Sequence, residues 1–222
     1  IRLRRKRFDL AFDCSDENHL SLGHGMWIYL SGAKYRVGHK RDGSDLFLNI
    51  EIPPVNYIRH ATDMNLDLLR YLVPLNLSEL PYLEVKSEEE EHIKDYLGNM
   101  EIKEEDFLVG INLGGTGNKR WEIENFIELG NRLKEKEGLK VVYIWGPEEK
   151  EIVKRLNVPG VLGEILPLPR LSALLKRCDL FISSDSGIMH LSTAVGTPTL
   201  AIFIHSNPDK YAPKGKEDRV IY

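Results

Sequence analysis

The sequence predicts an α/β fold with parallel sheets, and two observations support that prediction. Three apolar runs, at residues 107–113, 139–145 and 180–182, are each followed by a loop and then by a helical pattern. The last run is short and wholly apolar, as expected of a strand that is covered on both faces. Strand, loop and helix in succession form the repeating unit of parallel sheets.

The part of the chain before residue 107 gives weaker signals. Residues 1–7, IRLRRKR, look like part of a helix. A polar bridge flanked by prolines at residues 75–83 separates two predicted domains, residues 1–78 and 79–222. The acidic stretch SEEEEHIKDYL that follows is typical of a helix start, and we assign it no catalytic role.

A glycine-rich loop, residues 114–118, follows the first of the three strands. Lys119 and Arg120 come next, ahead of an amphipathic helical pattern that ends at Gly138. Such a loop with two cations at a helix start is typical of a phosphate clamp, with Lys119 as a point charge and Arg120 as a fork. Its spacing is neither that of a P-loop nor GxGxxG. A turn with a solvated Lys-Arg pair is the alternative.

The second strand, residues 139–145, ends in the turn Gly146-Pro147-Glu148, and residues 149–156 then form a helical pattern. Glu148 sits where a carboxylate can accept hydrogen bonds from two ribose hydroxyls. An acid in the first turn of a helix also complements the helix dipole, so a purely structural role is the alternative.

The third strand breaks at Asp185-Ser186-Gly187 into a short helix that Gly196 and Pro198 end, ahead of a strand at residues 199–204. Asp185 or Ser186 can cap this helix, and Gly187 lets a ligand approach the backbone. His190 lies about one turn further on, so its ring can point back towards the start of the helix. The alternative is an ordinary βαβ unit with a capping Asp and an interior His.

Loops at the carboxyl ends of neighbouring parallel strands share one crevice, so we expect the three loops to converge. Free backbone N–H groups at the positive end of a helix dipole favour phosphate. The sequence therefore predicts a diphosphate site at the turn of residues 185–187.

The motifs together resemble glycosyltransferase family 9, the ADP-heptose:lipopolysaccharide heptosyltransferases. The segments that carry the resemblance are GGTGNKRW, WGPE and SSDSGIMHLSTAVGTPTLAIF, with FDLAFD, SGAKYRVG and HATDMNLDLLRYL in the N-terminal part. The resemblance implies a GT-B fold of two Rossmann-like domains, with residues 1–78 on the acceptor side and residues 79–222 on the donor side. It also implies an inverting transfer of a heptose or related sugar from an ADP-linked donor to a lipopolysaccharide-core glycolipid.

The resemblance assigns roles to single positions. Contacts with the donor diphosphate and sugar, or with the nucleoside in the case of Glu148, are implied for Thr116, Gly117, Lys119, Glu148, Asp185, Ser186, Gly187 and His190. Two departures stand out. Ile204 and Ser206 stand where the family usually has glycine and threonine after the last strand, and His19 stands where the family often has Arg.

Against the family pattern, the chain is expected to be an internal piece whose N-terminal domain is incomplete. The catalytic base is then expected in the absent N-terminal segment, and no catalytic residue is assigned here.

Composition restricts the partners. A net charge of −4 without a dominant basic stripe argues against nucleic acid, and no run reaches the roughly 18 apolar residues of a membrane span. Neither a zinc-type cysteine pattern nor an Asp-x-Asp pair occurs, so we expect no metal and no cofactor beyond the donor substrate. The expected location is cytoplasmic, at the inner membrane face where the acceptor lies. The basic run at residues 2–7 either touches anionic lipid or forms a solvated helix face. The oligomeric state stays open.

Two other functions stay open at this point. The first is a non-catalytic module that binds a nucleotide sugar, and the second is a nucleotide-sugar epimerase of the same architecture. Both would bind the nucleotide, whereas only the transferase needs an acceptor.

Overall fold

The computed structural model describes residues 3–15, 19–53, 58–73, 81–115, 117–156 and 165–222. The chain divides into two compact units, unit 1 with residues 1–78 and unit 2 with residues 79–222. The roles that the sequence suggests for them, acceptor side and donor side, stay predictions.

Unit 1 is built on a parallel sheet of three strands in the order β1-β2-β3. Its elements are β1 (Leu10–Asp13), α1 (Leu22–Ser31), β2 (Tyr35–His39), β3 (Ile50–Ile52) and α2 (Ala61–Leu72). Val37, Ile52 and Leu68 form its buried core, so α2 packs against one face of the sheet. The helix-like start of the chain contributes a short 3-10 turn at Leu3–Lys6.

A buried ion pair joins the carboxyl ends of β1 and β2. Arg41 binds Asp13, and only 3% of the Arg41 side chain and 2% of the Asp13 side chain are exposed. Arg41 also donates to the Ser15 hydroxyl at 2.8 Å and to the backbone oxygens of His39 and His19, both at 3.2 Å. The guanidinium therefore organises the turns that follow both strands.

Acid is expected to weaken unit 1 through Asp13. Burial acts to raise the pKa of Asp13, but hydrogen bonds from Ser15 and Arg41 and the charge of Arg41 outweigh it, so the pKa lies below its ordinary value. A lowered folded-state pKa contributes stability above the unfolded value of about 3.9, and this stability is lost as the pH falls through the folded-state pKa.

The free energy of unfolding of unit 1 should therefore exceed that of Asp13→Asn by its full amount at about pH 6, and this difference should shrink below about pH 4. Hydrogen exchange of the β1 and β2 amides, corrected for intrinsic rates, measures this difference. A stability difference between wild type and Asp13→Asn that stays constant on acidification would contradict the expectation.

Unit 2 is built on a five-stranded sheet in the order β5-β4-β6-β7-β8, in which every pairing is parallel. Its strands are β4 (Phe107–Asn112), β5 (Leu139–Ile144), β6 (Leu180–Ser184), β7 (Thr199–Ile202) and β8 (Arg219–Ile221). Its helices are α3 (Ser87–Gly98), α4 (Ile123–Lys134), α5 (Lys150–Leu156), α6 (Leu168–Arg177), α7 (Gly187–Ala194) and α8 (Pro208–Tyr211).

Both faces of this sheet are buried along the strands β4 to β7, which explains why these strands are nearly continuously apolar, whereas the edge strand β8 is exposed. On β4, Leu108 belongs to the core cluster that includes residues of α3 and α6, whereas Val109 and Ile111 belong to the cluster that includes Phe126 of α4. The alternation follows from the two-residue period of a strand. The predicted parallel α/β architecture is therefore present.

The helix after β4 ends earlier than the sequence suggested. The last helical residue is Lys134, and Gly138, the predicted stop, instead adopts a φ of +76° in the turn that leads to β5. Turn hydrogen bonds from Lys136 N to Leu133 O and from Leu139 N to Lys136 O close this segment. Glycine is needed there because of the left-handed backbone, with the helix already finished.

Gly130→Ala is expected to destabilise unit 2 by about 2 kcal/mol, although alanine is the better helix former by about 1 kcal/mol. Gly130 lies in α4 against Tyr143 of β5, and an added Cβ would stand 2.7 Å from Cζ of that fully buried ring. A packed ring cannot withdraw without disturbing its neighbours.

Urea denaturation measures the loss, with Gly98→Ala as the matched control. Gly98 is the last residue of α3, and an added Cβ there would meet no heavy atom within 4 Å. The control is expected to match or slightly exceed the wild-type stability. Equal stability of the two variants would show that the α4–β5 contact relaxes freely.

Candidate functional site

The strand order of unit 2 creates a switch point between β4 and β6. From β4 the chain moves to β5 on one side, and β6, β7 and β8 then follow on the other side. Connections leave in opposite directions at such a point, which opens a crevice at the carboxyl ends of the two central strands. The loop after β4, at residues 113–115 and 117–122, and the turn of residues 185–186 after β6 both lie at this edge.

The loop after β4 contains a 3-10 turn at Gly117–Lys119. Gly117 has a φ of +59°, a left-handed conformation that favours glycine. An added Cβ on Gly117 would point into open space, so the backbone conformation alone explains the residue type. Thr116, a predicted site residue, lies outside the described residues.

The turn after β6 forms the start of α7. The Ser186 hydroxyl caps the helix by accepting a hydrogen bond from Met189 N at 3.4 Å, so Ser186, and not Asp185, is the N-cap. Gly187 is exposed, and a Cβ added to it would meet no heavy atom within 4 Å. Asp185 beside it is only 8% exposed. His190 is exposed on α7 one turn further along.

Lys119 bridges the two loops. Its Nζ atom lies 3.1 Å from Oδ2 of Asp185 and 5.5 Å from the ring centroid of Tyr211, which follows β7. The lysine side chain is 43% exposed, so the ammonium group is held but still open to solvent. A cation is thus fixed beside the N-terminus of α7, where the helix dipole adds to its positive potential.

Two further contacts tie the loops together. The backbone N–H of Trp121 donates to the buried Ser184 hydroxyl at 2.9 Å. Asn112 Nδ2 donates to Ser183 Oγ at 3.0 Å and to Ser186 Oγ at 3.2 Å. Our sequence analysis missed Asn112 and Ser184. The sequence did contain a signal for both residues, because each is the polar last residue of a mainly apolar strand, Asn112 of β4 and Ser184 of β6.

Arg120 connects the first loop with the loop after β5. Its Nη1 atom lies 3.2 Å from Oε1 of Glu149, whose side chain is 4% exposed and also accepts from Gly146 N at 2.9 Å. Glu148, the predicted nucleoside contact, is exposed next to it. The sequence analysis did not single out Glu149, although its position three residues after Gly146 is that of a capping acid.

The described ranges contain no group of three or more His, Cys, Asp or Glu side chains placed to hold a metal ion. Within the same ranges, every helix falls short of the length and apolar character that crossing a bilayer requires.

Comparison with known proteins gives one consistent family. Residues 2–222 match the family model described as glycosyltransferase family 9 (heptosyltransferase). The lipopolysaccharide core heptosyltransferase OpsX of Haemophilus influenzae is 24% identical over 99% of this chain and 63% of its own length.

Solved structures show the same fold. A glycosyltransferase family 9 structure from Veillonella parvula superposes with a TM-score of 0.82 at 24% identity, over 99% of this chain and 65% of that one. E. coli heptosyltransferase WaaC with ADP gives a TM-score of 0.74 at 19% identity, over 99% and 68%. The predicted α/β fold of the GT-B type is confirmed. The chain spans just under two thirds of the length of the OpsX and Veillonella proteins.

Proposed function

Since this chain belongs to glycosyltransferase family 9, we propose that the protein moves a heptose or related sugar from an ADP-linked donor to a glycolipid. The acceptor is of the lipopolysaccharide core type, at the inner membrane face. The proposal draws on the names of the relatives, a lipopolysaccharide core heptosyltransferase and a heptosyltransferase with ADP.

The observation that carries the proposal is the Lys119–Asp185 contact across the switch point, beside the start of α7. The first N–H groups of a helix have no intrahelical acceptor and point outwards. Gly187 leaves the space in front of them open. Together these groups form a cradle for a diphosphate, since charge-assisted hydrogen bonds and the helix dipole act on the same anion.

Transfer from a nucleotide sugar leaves negative charge on the departing diphosphate. In our proposal Lys119 and the amides of α7 stabilise that charge, so the reaction needs no metal. One such donor contributes on the order of 3 kcal/mol to a transition state in comparable sites. The proposed inversion follows the family: an acceptor hydroxyl attacks the anomeric carbon on the face opposite the diphosphate, the bond to the diphosphate breaks, and the hydroxyl proton passes to a base to which we assign no residue.

Arg120 has a different role in this proposal. Its ion pair with the buried Glu149 joins the loops after β4 and β5, so its guanidinium holds these two loops in position. Glu148 stays the proposed ribose contact, because it is exposed at the same turn and free to reach outwards from the sheet edge.

Calorimetry with ADP and UDP, followed by a crystal soak with the tighter ligand, tests the proposal. We expect ADP to bind with its diphosphate against Ser186 and Gly187 and within reach of Lys119 Nζ. Binding at another surface, or of neither nucleotide, would refute the assignment of the site.

A transfer assay separates the three candidate functions. The proposed enzyme consumes donor only with acceptor present, keeps its activity in EDTA and yields a product of inverted configuration by NMR. Donor isomerisation without acceptor would indicate an epimerase, and binding without turnover would indicate a non-catalytic module. Loss of activity in EDTA would refute metal independence alone.

A further inference from the structure

Asn112 occupies the centre of the switch point, and no role in ligand binding follows from its position in β4 alone. The residue is 1% exposed, at the carboxyl end of the strand. Nδ2 donates to the backbone oxygen of Gly114 at 3.1 Å, and Oδ1 accepts from the Gly114 N–H at 3.1 Å. Nδ2 also lies 3.0 Å from Ser183 Oγ and 3.2 Å from Ser186 Oγ, so its two protons serve three acceptors and one N–H is shared between two of them.

These contacts determine the direction in which the Ser186 hydroxyl points its proton. A serine hydroxyl has one proton to donate and two lone pairs that accept. Ser186 Oγ accepts from Asn112 Nδ2 and, at the helix cap, from Met189 N at 3.4 Å. With both lone pairs used, Ser186 is left with its proton alone.

The neighbouring serine completes the pattern. Ser183 Oγ donates to the backbone oxygen of Ser184 at 2.7 Å and accepts from Asn112. Its own proton is therefore committed, and the 3.1 Å contact between the two hydroxyls has Ser186 as the donor. An anion that binds at the start of α7 can accept the hydrogen bond from the Ser186 hydroxyl in place of Ser183 Oγ, because a charged acceptor makes the stronger hydrogen bond.

We propose that Asn112 is a positioning residue that makes the Ser186 hydroxyl a hydrogen-bond donor to the diphosphate and holds the glycine-rich loop in register with α7. This inference rests on the proposed function, since it takes a nucleoside diphosphate as the ligand of the site. The amide is suited to the task because it is neutral, donates towards the serines and accepts from Gly114.

Asn112→Asp tests this with almost no change of shape. A carboxylate has no N–H, so Ser186 would turn its proton towards residue 112 and present a lone pair to the diphosphate. The new negative charge beneath the cradle adds repulsion in a buried setting. We expect ADP to bind at least about tenfold more weakly at about pH 8, with the gap narrowing as the pH falls and the carboxyl takes up a proton.

Adenosine, which has no phosphates, serves as the matched ligand and Thr197→Val as the matched variant. Thr197 is buried and donates to Leu175 O at 2.6 Å in the same unit, so its loss also removes a buried hydrogen bond. Thr197→Val should bind ADP like wild type, and adenosine affinity in Asn112→Asp should stay within about twofold of wild type. Calorimetry at several pH values measures all of these affinities.

Unchanged ADP affinity in Asn112→Asp, or an equal loss for ADP and adenosine, would overturn the proposal. If Asn112→Asp gives no cooperative melt, Asn112→Ala takes its place, with an expected ADP-specific loss of about tenfold that does not vary with pH. Wild-type affinity in that variant would overturn the proposal equally. Failure of the wild-type protein to bind ADP or UDP would instead refute the proposed function.

Discussion

Replacing Lys119 by alanine is expected to lower donor-dependent turnover at least about 100-fold, a loss of about 2.7 kcal/mol of transition-state stabilisation. The ammonium group is the cation held beside the start of α7, 3.1 Å from Asp185. Its removal takes away a charge that would meet the departing diphosphate. It also leaves the carboxylate of Asp185 unpaired at the same place, which repels the anion.

Steady-state kinetics with saturating acceptor measure the effect, and three variants sharpen it. Lys136→Ala, an exposed lysine in the turn after α4, should leave turnover unchanged. Lys119→Arg keeps the charge and should retain part of the activity. Lys119→Ala combined with Asp185→Asn should recover some donor affinity, because the unpaired charge is gone. Full turnover in Lys119→Ala would remove this residue from the mechanism.

Replacing Arg41 by alanine is expected to destabilise unit 1 by about 3 to 5 kcal/mol. The ion pair with Asp13 is almost fully buried, so the variant leaves a carboxylate in a poorly solvated position. The hydrogen bonds of Arg41 to Ser15 and to two backbone oxygens are lost with it. Such a cost exceeds what exposed ion pairs contribute, about 0 to 1 kcal/mol.

Hydrogen exchange of β1 and β2 measures this loss in unit 1 separately from unit 2. The control is Arg70→Ala, since Arg70 binds Asp67 at 3.1 Å with about a third of its side chain exposed, and its loss should cost far less. In an Asp13→Asn background the cost of Arg41→Ala should also fall sharply, because no charge is left unpaired. Equal costs in the two backgrounds would show that packing of the Arg41 side chain, and not its charge, stabilises the turns.

The local features of unit 2 could be predicted from the sequence, with one exception in the helix after β4. The strand, glycine loop and cation pattern around Lys119 and the turn of residues 185–187 could be predicted, because local periodicity and turn chemistry produce them. The helix after β4 was predicted four residues too long, because Gly138 looked like a helix stop when it is the left-handed residue of the next turn.

The buried polar contacts could not be predicted in the same way. Glu148 and Glu149 are adjacent and chemically identical. The position of Glu149 three residues after Gly146 marks it as a capping acid, but no local pattern states that it also pairs with Arg120. Asn112 and Ser184 are polar residues at the ends of apolar strands. Asn112 contacts Ser183 and Ser184 contacts Trp121, each more than 60 positions away, so these contacts are visible only once β4 and β6 are side by side.

By itself the sequence determined the parallel α/β class, the strand-to-helix turns and the residue types available at each turn, since these depend on neighbours a few positions apart. The tertiary structure decided which loops meet and which polar groups pair. The order β5-β4-β6 places β4 and β6 next to each other. Hydrogen bonds and charge pairs act over about 3 Å, so their partners are fixed by strand order and burial, which local sequence does not contain.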